Sequence, residues 1–93
     1  KKRVLCLLAD GVEELELVAP VDVLRRAGAE VVLAVLRDDL TVTGRHGLVL
    51  RAEVCLDGFE AAGFDLLFIP GGAAVAALRQ DGRPAALARA FVA

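Results

Sequence analysis

Four acidic side chains near the start of the chain are the clearest candidates for chemistry. They fall within seven residues, directly after an apolar run, at Asp10, Glu13, Glu14 and Glu16. In an open α/β sheet, ligands bind in the crevice beyond the carboxyl ends of the strands, so carboxylates there suit an active site. The helix dipole alone also favours acids in a first helical turn. An active-site feature and a solvated helix start therefore both stay open.

The Pro70-Gly71-Gly72 turn, which follows another apolar run, is a second candidate. Consecutive glycines before a helix can expose backbone N–H groups in a nest that binds an oxyanion, a phosphate or a carboxylate. A tight turn without a ligand is the alternative interpretation. The sequence has neither a G-x-G-x-x-G dinucleotide fingerprint after a strand nor the Lys-Ser/Thr of a phosphate-binding loop.

The side chains that could act as nucleophiles are few. Serine is absent, which excludes a Ser–His–Asp triad. Cys6 and Cys55 lack metal-ligand spacing, and both are interpreted as core or near-core residues, because free cysteine is usually buried. His46, the single histidine, is interpreted as a surface residue that remains a candidate for pH-dependent behaviour. We expect no metal and no cofactor.

Continuous apolar runs predict the strands of a parallel sheet covered on both faces, at Lys2–Ala9, Glu30–Leu36 and Asp65–Ile69. The segments Leu40–Thr43 and Leu48–Val54 alternate more strongly around the turn Gly44–Gly47. They predict an antiparallel hairpin near an edge of the sheet.

Helical spacing predicts a helix over Glu13–Ala27, but Pro20 interrupts it. The helix is either kinked at Pro20 or begins its regular part near Val18. In both cases the backbone that carries Glu16 is irregular, which gives this acid a reason to point somewhere specific. Further short helices are predicted to end at Gly63, after the capping pair Asp57 and Glu60, and to cover Ala73–Leu78 and Pro84–Ala93.

This order of elements predicts a flavodoxin-like, doubly wound, mainly parallel α/β sheet. In that sheet order the first strand neighbours the third long one, so the turns after Ala9 and Ile69 lie at the same sheet edge. Glu16 is then expected opposite Gly71 and Gly72. We expect Glu13 and Glu14 to be helix-start acids and Asp10 to be a turn residue.

Composition excludes several classes of protein. Ninety-three residues with 57% hydrophobic content make one small globular domain at most. The net charge of −2 and the absence of a basic stripe argue against nucleic-acid binding. No apolar run approaches the roughly 20 residues of a membrane span, so no membrane is expected and a cytoplasmic location is predicted.

Several segments, taken in order, resemble the ThiJ/PfpI superfamily, which is related to class I glutamine amidotransferase domains. They are Val4–Ala9, Asp10–Glu16, Pro20–Gly28, Val42–Gly47 and Phe64–Gly72. The resemblance implies a flavodoxin-like α/β sandwich and commonly a homodimer. It also implies a reactive cysteine at a strand-to-helix nucleophile elbow.

The resemblance assigns roles residue by residue. Glu16 matches the family glutamate that hydrogen-bonds the cysteine sulfur and favours its thiolate. Gly72, with Gly71 beside it, matches the glycine whose backbone N–H contributes to the oxyanion site. Arg45 matches a residue that in part of the family approaches the partner subunit's site.

The family's nucleophile elbow and its downstream histidine have no match here, since neither Cys6 nor Cys55 lies in an Ala-Ile-Cys-like context. We therefore expect residues 1–93 to be the N-terminal part of a truncated domain that lacks the nucleophile. The resemblance implies a parent hydrolase, glyoxalase- or deglycase-like enzyme acting on small carbonyl compounds or peptides. The alternatives are a redox-sensing or chaperone-like stress protein, and an inactive structural fragment.

Overall fold

The described part of the fold consists of a four-stranded parallel sheet, one helix and a separate two-stranded hairpin. The computed structural model describes residues 2–37, 39–55 and 63–70. Within these ranges the elements are β1 (Arg3–Leu8), α1 (Glu14–Arg26), β2 (Glu30–Val35), β3 (Thr41–Thr43), β4 (Val49–Arg51), β5 (Val54–Cys55) and β6 (Leu66–Phe68). The main sheet has the order β5–β2–β1–β6, and each neighbouring pair is parallel.

β1 is the buried strand at the centre of this sheet. Successive side chains of a strand point to opposite faces, and both faces of β1 are covered. Val4, Cys6 and Leu8 belong to one core cluster, whereas Leu5 and Leu7 belong to another. The prediction of a central parallel strand is confirmed, as is its parallel pairing with β2 and β6, although β6 covers only three residues of the strand predicted over Asp65–Ile69.

The helix α1 packs against one face of β1 through an apolar stripe. Leu17 and Val21 are buried in the same cluster as Val4, Cys6 and Leu8. The helix begins at Glu14 and continues through Pro20. The alternative in which its regular part begins near Val18 is therefore wrong. Packing of the apolar stripe maintains the helix although proline cannot donate the usual backbone bond.

The hairpin prediction is correct in its pairing and wrong in its extent. β3 and β4 pair antiparallel, but they form their own sheet, apart from the main one. The predicted strand Leu48–Val54 also divides, because the backbone N–H of Ala52 donates to Leu40 whereas that of Glu53 donates to Leu33 of β2. The next two residues then extend the main sheet as β5, which satisfies backbone groups of β2.

Several predicted features lie outside the described residues. They are the Gly71-Gly72 turn, the short helix ahead of Gly63, and the helices predicted at residues 73–78 and 84–93.

Candidate functional site

The acidic segment (residues 10–16) follows β1 at the carboxyl edge of the main sheet. β1 and β6 are parallel neighbours with Cys6 opposite Phe68, so both strands end at this edge. The chain after β6 reaches Pro70, which is fully buried. The prediction that the turns after Ala9 and Ile69 share one edge is thus confirmed as far as Pro70. Whether Glu16 faces Gly71 and Gly72 stays a prediction.

Asp10 joins the end of β1 to the hairpin. Its Oδ1 accepts a hydrogen bond of 2.9 Å from the backbone N–H of Thr43. Its Oδ2 lies 2.7 Å from Arg37 Nη1, and the same guanidinium donates to the Thr41 carbonyl. The bond from Arg37 and then the Thr43 N–H lower the pKa of Asp10. The prediction of a simple turn residue is incomplete, because this carboxylate has tertiary partners.

Glu14 binds the hairpin tip, defined here as residues 44–48. Its carboxylate Oε2 accepts backbone N–H bonds from His46 at 2.8 Å and from Leu48 at 3.3 Å. Its Oε1 lies 3.2 Å from His46 Nδ1. Desolvation by burial raises the pKa of Glu14, but hydrogen bonds from its own N–H, from His46 and from Leu48 outweigh that effect. The pKa falls to about 2. The prediction of a solvated helix-start acid is wrong for Glu14.

Gly44 lets the hairpin tip approach this carboxylate. A Cβ at Gly44 would overlap the Glu14 carboxylate carbon and Oε2. The tip is closed by hydrogen bonds from Gly44 N–H to the Leu48 carbonyl, 2.8 Å, and from Gly47 N–H to the Gly44 carbonyl, 3.1 Å. The carboxylate therefore fits against the turn only because residue 44 has no side chain.

Arg45 and His46 project from the hairpin tip into solvent. Arg45 Nη1 pairs with Glu13 Oε1 at 2.9 Å, with 61% of the arginine side chain exposed. The side chain of His46 is 70% exposed, which agrees with its interpretation as a surface residue. Glu13 precedes α1 and makes no side-chain cap bond to it. Its partner is the hairpin tip instead.

Glu16 differs from the other three acids of the segment. It lies in the first turn of α1 and its side chain is exposed. Asp10, Glu13 and Glu14 all bind the hairpin or Arg37. The side chain of Glu16 makes no hydrogen bond or ion pair with the residues that the structure describes. Within those residues, its carboxylate is the one in this segment without a partner.

Glu13, Glu14 and His46 bring possible metal-ligand atoms within 4.8 Å of one another. Carboxylate oxygen and imidazole nitrogen are suitable ligands for several divalent metals. In this structure, however, Glu13 pairs with Arg45, and both oxygens of Glu14 face donors of the hairpin tip. A cation would have to compete with these partners, so the cluster is explained by the contacts it makes within the chain.

The two cysteines have no part in this cluster. Cys6 is fully buried in β1, and burial raises the pKa of its thiol to about 12, although the charge of Arg25 opposes the shift. The interpretation of Cys6 as a core residue is confirmed. Cys55 is half-buried on β5. A thiol with so high a pKa is almost entirely protonated at neutral pH, which makes Cys6 unsuited to nucleophilic chemistry.

Sequence reasoning missed the binding role of Glu14, although a signal was present. Glu14, Leu17 and Val21 stand at positions i, i+3 and i+7 of the helix, which is the spacing of one face. These are the three buried residues of α1. An acid on the apolar stripe requires hydrogen-bond donors, and Gly44 marks where they come close.

In the portion of the chain that the structure covers, no helix has the length and apolar character needed to cross a membrane.

Comparison with known proteins finds relatives over nearly the whole chain. The sequence model of the DJ-1/PfpI family matches residues 2–93. "Putative cysteine protease YraA" of Bacillus subtilis (strain 168) is 37% identical over 91 residues, which are 98% of this chain and 54% of that protein. "Protein/nucleic acid deglycase 2" of Escherichia coli (strain K12) is 34% identical over 92 residues, again 98% of this chain and 54% of the relative.

Solved structures agree on the fold. A two-domain protein from Anabaena variabilis, with DJ-1/ThiJ/PfpI-like and ferritin-like domains, matches with a TM-score of 0.88 and 30% identity. The match covers 99% of this chain and 27% of that protein. The predicted class I glutamine amidotransferase-like α/β fold is thereby confirmed. The chain spans about half the length of the curated relatives it matches.

Proposed function

Because this chain belongs to the DJ-1/PfpI family, we propose that the full-length protein is a cysteine-dependent enzyme acting on small carbonyl compounds or peptides. The names of two relatives, a putative cysteine protease and a protein/nucleic acid deglycase, support protease- and deglycase-like chemistry. The nucleophilic cysteine and its histidine lie outside the 93 residues. Glu16 is the residue of this chain that hydrogen-bonds the cysteine sulfur.

The availability of Glu16 carries the proposal. Of the four carboxylates at the end of β1, three are held by partners in the described chain, whereas Glu16 is exposed. It stands in the first turn of α1, at the sheet edge where β1 and β6 both end. A ligand site of an open α/β sheet is expected at this edge.

The proposed chemistry is addition of a thiolate to a carbonyl group. The sulfur forms a bond to the carbonyl carbon, and the π electron pair moves to the oxygen. Backbone N–H groups at Gly71 and Gly72 then stabilise the oxyanion. Glu16 acts in its protonated form, whose O–H donates a hydrogen bond to the sulfur and so favours the thiolate, which is the nucleophilic form.

The test compares Glu16→Leu with wild type in the full-length protein. We expect the cysteine pKa to rise by about one unit. At any pH below that pKa, the thiolate fraction then falls by up to about tenfold. Turnover of methylglyoxal or of a peptide should fall in parallel. The thiol pKa is measured from the pH dependence of alkylation. Asp22→Asn is the matched control, because Asp22 is an exposed acid of the same helix that pairs with Arg26.

An unchanged thiol pKa in Glu16→Leu would remove Glu16 from the site. The enzyme proposal itself fails if wild type turns over neither substrate class. If peroxide nevertheless modifies the cysteine of that inactive protein, the redox-sensing alternative is favoured instead.

A homodimer is part of the same proposal. Leu15 and Val18 on α1, and Leu48 and Val49 on the hairpin, are large apolar side chains exposed by 49–77%. Exposed apolar side chains that form one patch are typical of an interaction surface, and we propose that these four do so. Arg45 stands beside Leu48 in the same hairpin tip. Sedimentation of the full-length protein should therefore give a dimer, and Val49→Asp should weaken it; a wild-type monomer would contradict the proposal.

A further inference from the structure

Glu14 is the one charged residue among those the structure describes that is buried. Burying a carboxylate is costly unless hydrogen bonds replace the water that it loses. Here the replacement comes from a distant part of the chain, since both backbone donors belong to the hairpin tip, more than thirty residues further on. The contact therefore connects the start of α1 to the hairpin tip.

The Glu14 carboxylate in turn provides the acceptor for two backbone N–H groups of the hairpin tip. The N–H groups of His46 and Leu48 converge on one oxygen, Glu14 Oε2. Gly44 lies against the same carboxylate, which any Cβ at this position would overlap. Two N–H donors and one glycine thus enclose the carboxylate of a single side chain.

Arg45 lies between the residues that Glu14 holds. Gly44, the residue before Arg45, lies against the Glu14 carboxylate, and the N–H of His46, the residue after Arg45, donates to that same carboxylate. The backbone N–H of Arg45 itself donates to the Val12 carbonyl at 2.9 Å. Its backbone is therefore fixed on both sides, whereas its guanidinium is exposed and, among the described residues, pairs only with Glu13 at the surface. Exposed ion pairs contribute little to holding a segment in place.

We propose that Glu14 is the positioning residue of the hairpin tip: its carboxylate holds the tip against α1 and thereby sets where Arg45 lies. The position of Arg45 has a consequence at the subunit contact, and this part rests on the proposed homodimer. Glu14 and Glu16 then have separate tasks within one helical turn. Glu14 fixes the structure that meets the second subunit, and Glu16 meets the sulfur.

The experiment uses the full-length protein with two substitutions of different severity. Glu14→Ala removes the acceptor, whereas Glu14→Gln keeps an oxygen that can accept the two N–H bonds. Amide hydrogen exchange is measured at His46 and Leu48, and the dimer dissociation constant by sedimentation. In Glu14→Ala we expect both amides to exchange about tenfold faster or more, with β1 amides unchanged. Glu14→Gln should restore most of the protection, and Asp22→Asn should match wild type.

The subunit consequence is tested with Arg45→Ala. If Glu14 acts by placing Arg45, then Glu14→Ala weakens the dimer by a similar factor, and the double variant is no weaker than either single variant. Unchanged exchange at His46 and Leu48 in Glu14→Ala overturns the proposal. Faster exchange with an unchanged dimer dissociation constant overturns the claim that Glu14 acts on the dimer by placing Arg45. If the wild type is a monomer, the homodimer proposal has failed, and the exchange data alone decide whether Glu14 positions the tip.

Should Glu14→Ala fail to fold, Gly44→Ala answers the same question. Gly44→Ala displaces the carboxylate without removing it, and it should also accelerate exchange at His46 and Leu48. Normal exchange at both amides in folded Gly44→Ala would overturn the proposal.

Discussion

Gly44→Ala is the substitution for which the structure gives the sharpest expectation. The new Cβ would overlap the carboxylate of Glu14. The end of a glutamate side chain is flexible and would ordinarily move aside at little cost. Here its Oε2 accepts bonds from the N–H groups of His46 and Leu48, so moving it breaks or lengthens both. The substitution must either lose these bonds or shift the hairpin tip.

We expect Gly44→Ala to lower the free energy of unfolding by about 1–3 kcal/mol, the usual cost of adding a methyl group to a filled site. That range corresponds to roughly a 5- to 150-fold change in the unfolding equilibrium, since about 1.4 kcal/mol is tenfold. Urea unfolding of the full-length protein, followed by circular dichroism, measures the change as a lower midpoint with an unchanged slope.

Gly47→Ala is the matched control in the same turn. Gly47 has φ +89°, and a Cβ there would meet nothing within 4 Å. Its substitution therefore destabilises through backbone strain, by about 1–2 kcal/mol, and not through Glu14. Combining each change with Glu14→Ala separates the two causes. In the Glu14→Ala variant, Gly44→Ala should lower the free energy of unfolding by much less than in wild type, whereas Gly47→Ala should lower it by the same amount.

Two results would refute this reasoning. The first is a change in the free energy of unfolding below about 0.5 kcal/mol for Gly44→Ala, which is typical of ordinary surface substitutions. It would mean that the Glu14 carboxylate moves aside freely. A full, additive loss in the Glu14→Ala background would mean that the methyl group clashes with something other than that side chain.

Three further expectations concern pH, thiol chemistry and the core. The folded pKa of Glu14, about 2, lies below the unfolded value near 4.5, so its contribution to stability is complete above about pH 4.5 and is lost as the pH falls towards 2. Urea midpoints between pH 6 and 2 should therefore fall less steeply in Glu14→Gln than in wild type; parallel curves would contradict this assignment. Iodoacetamide at pH 8 should modify half-buried Cys55 well before Cys6, because Cys6 is fully buried with a pKa of about 12. Mass spectrometry measures the two labelling rates. Equal rates would exclude this environment for Cys6. Leu5→Ala should cost about 2–5 kcal/mol in urea unfolding, because Leu5 is fully buried in β1. Val23→Ala, at a side chain 62% exposed, should cost less than about 0.5 kcal/mol, and similar losses for the two variants would contradict the assigned core.

The different outcomes for α1 and the hairpin show how far local pattern extends. The apolar stripe of α1 predicted its existence and its buried face, because burial of that stripe stabilises the helix whatever surrounds it. Pro20 does not end the helix, since tertiary packing overrides the loss of one backbone bond. The prediction of one continuous strand over Leu48–Val54 is wrong because local pattern cannot show a hydrogen-bond partner that is distant in sequence. Its division at Ala52 depends on an acceptor in β2 that is distant in sequence.

The acidic segment illustrates the same limit. Sequence pattern located the four carboxylates at the end of β1, but it could not assign partners to them. The partners of Asp10, Glu13 and Glu14 come close only when the hairpin folds back onto the segment; they are Arg37, Arg45 and the backbone N–H groups of Thr43, His46 and Leu48. Pro20 and then the family resemblance singled out Glu16, and the structure adds that the other three acids have partners.

The sequence by itself determined the parallel sheet, its buried central strand, the helix that covers one face, and membership of the family. The three structural features follow from the period and continuity of apolar residues, which act over a few neighbouring positions, whereas family membership follows from the resemblance of several ordered segments. Only the tertiary structure decided that Glu14 is buried and Glu16 exposed. Both are the same residue type in the same helical turn, and they differ because the hairpin tip brings its N–H groups to one side of α1.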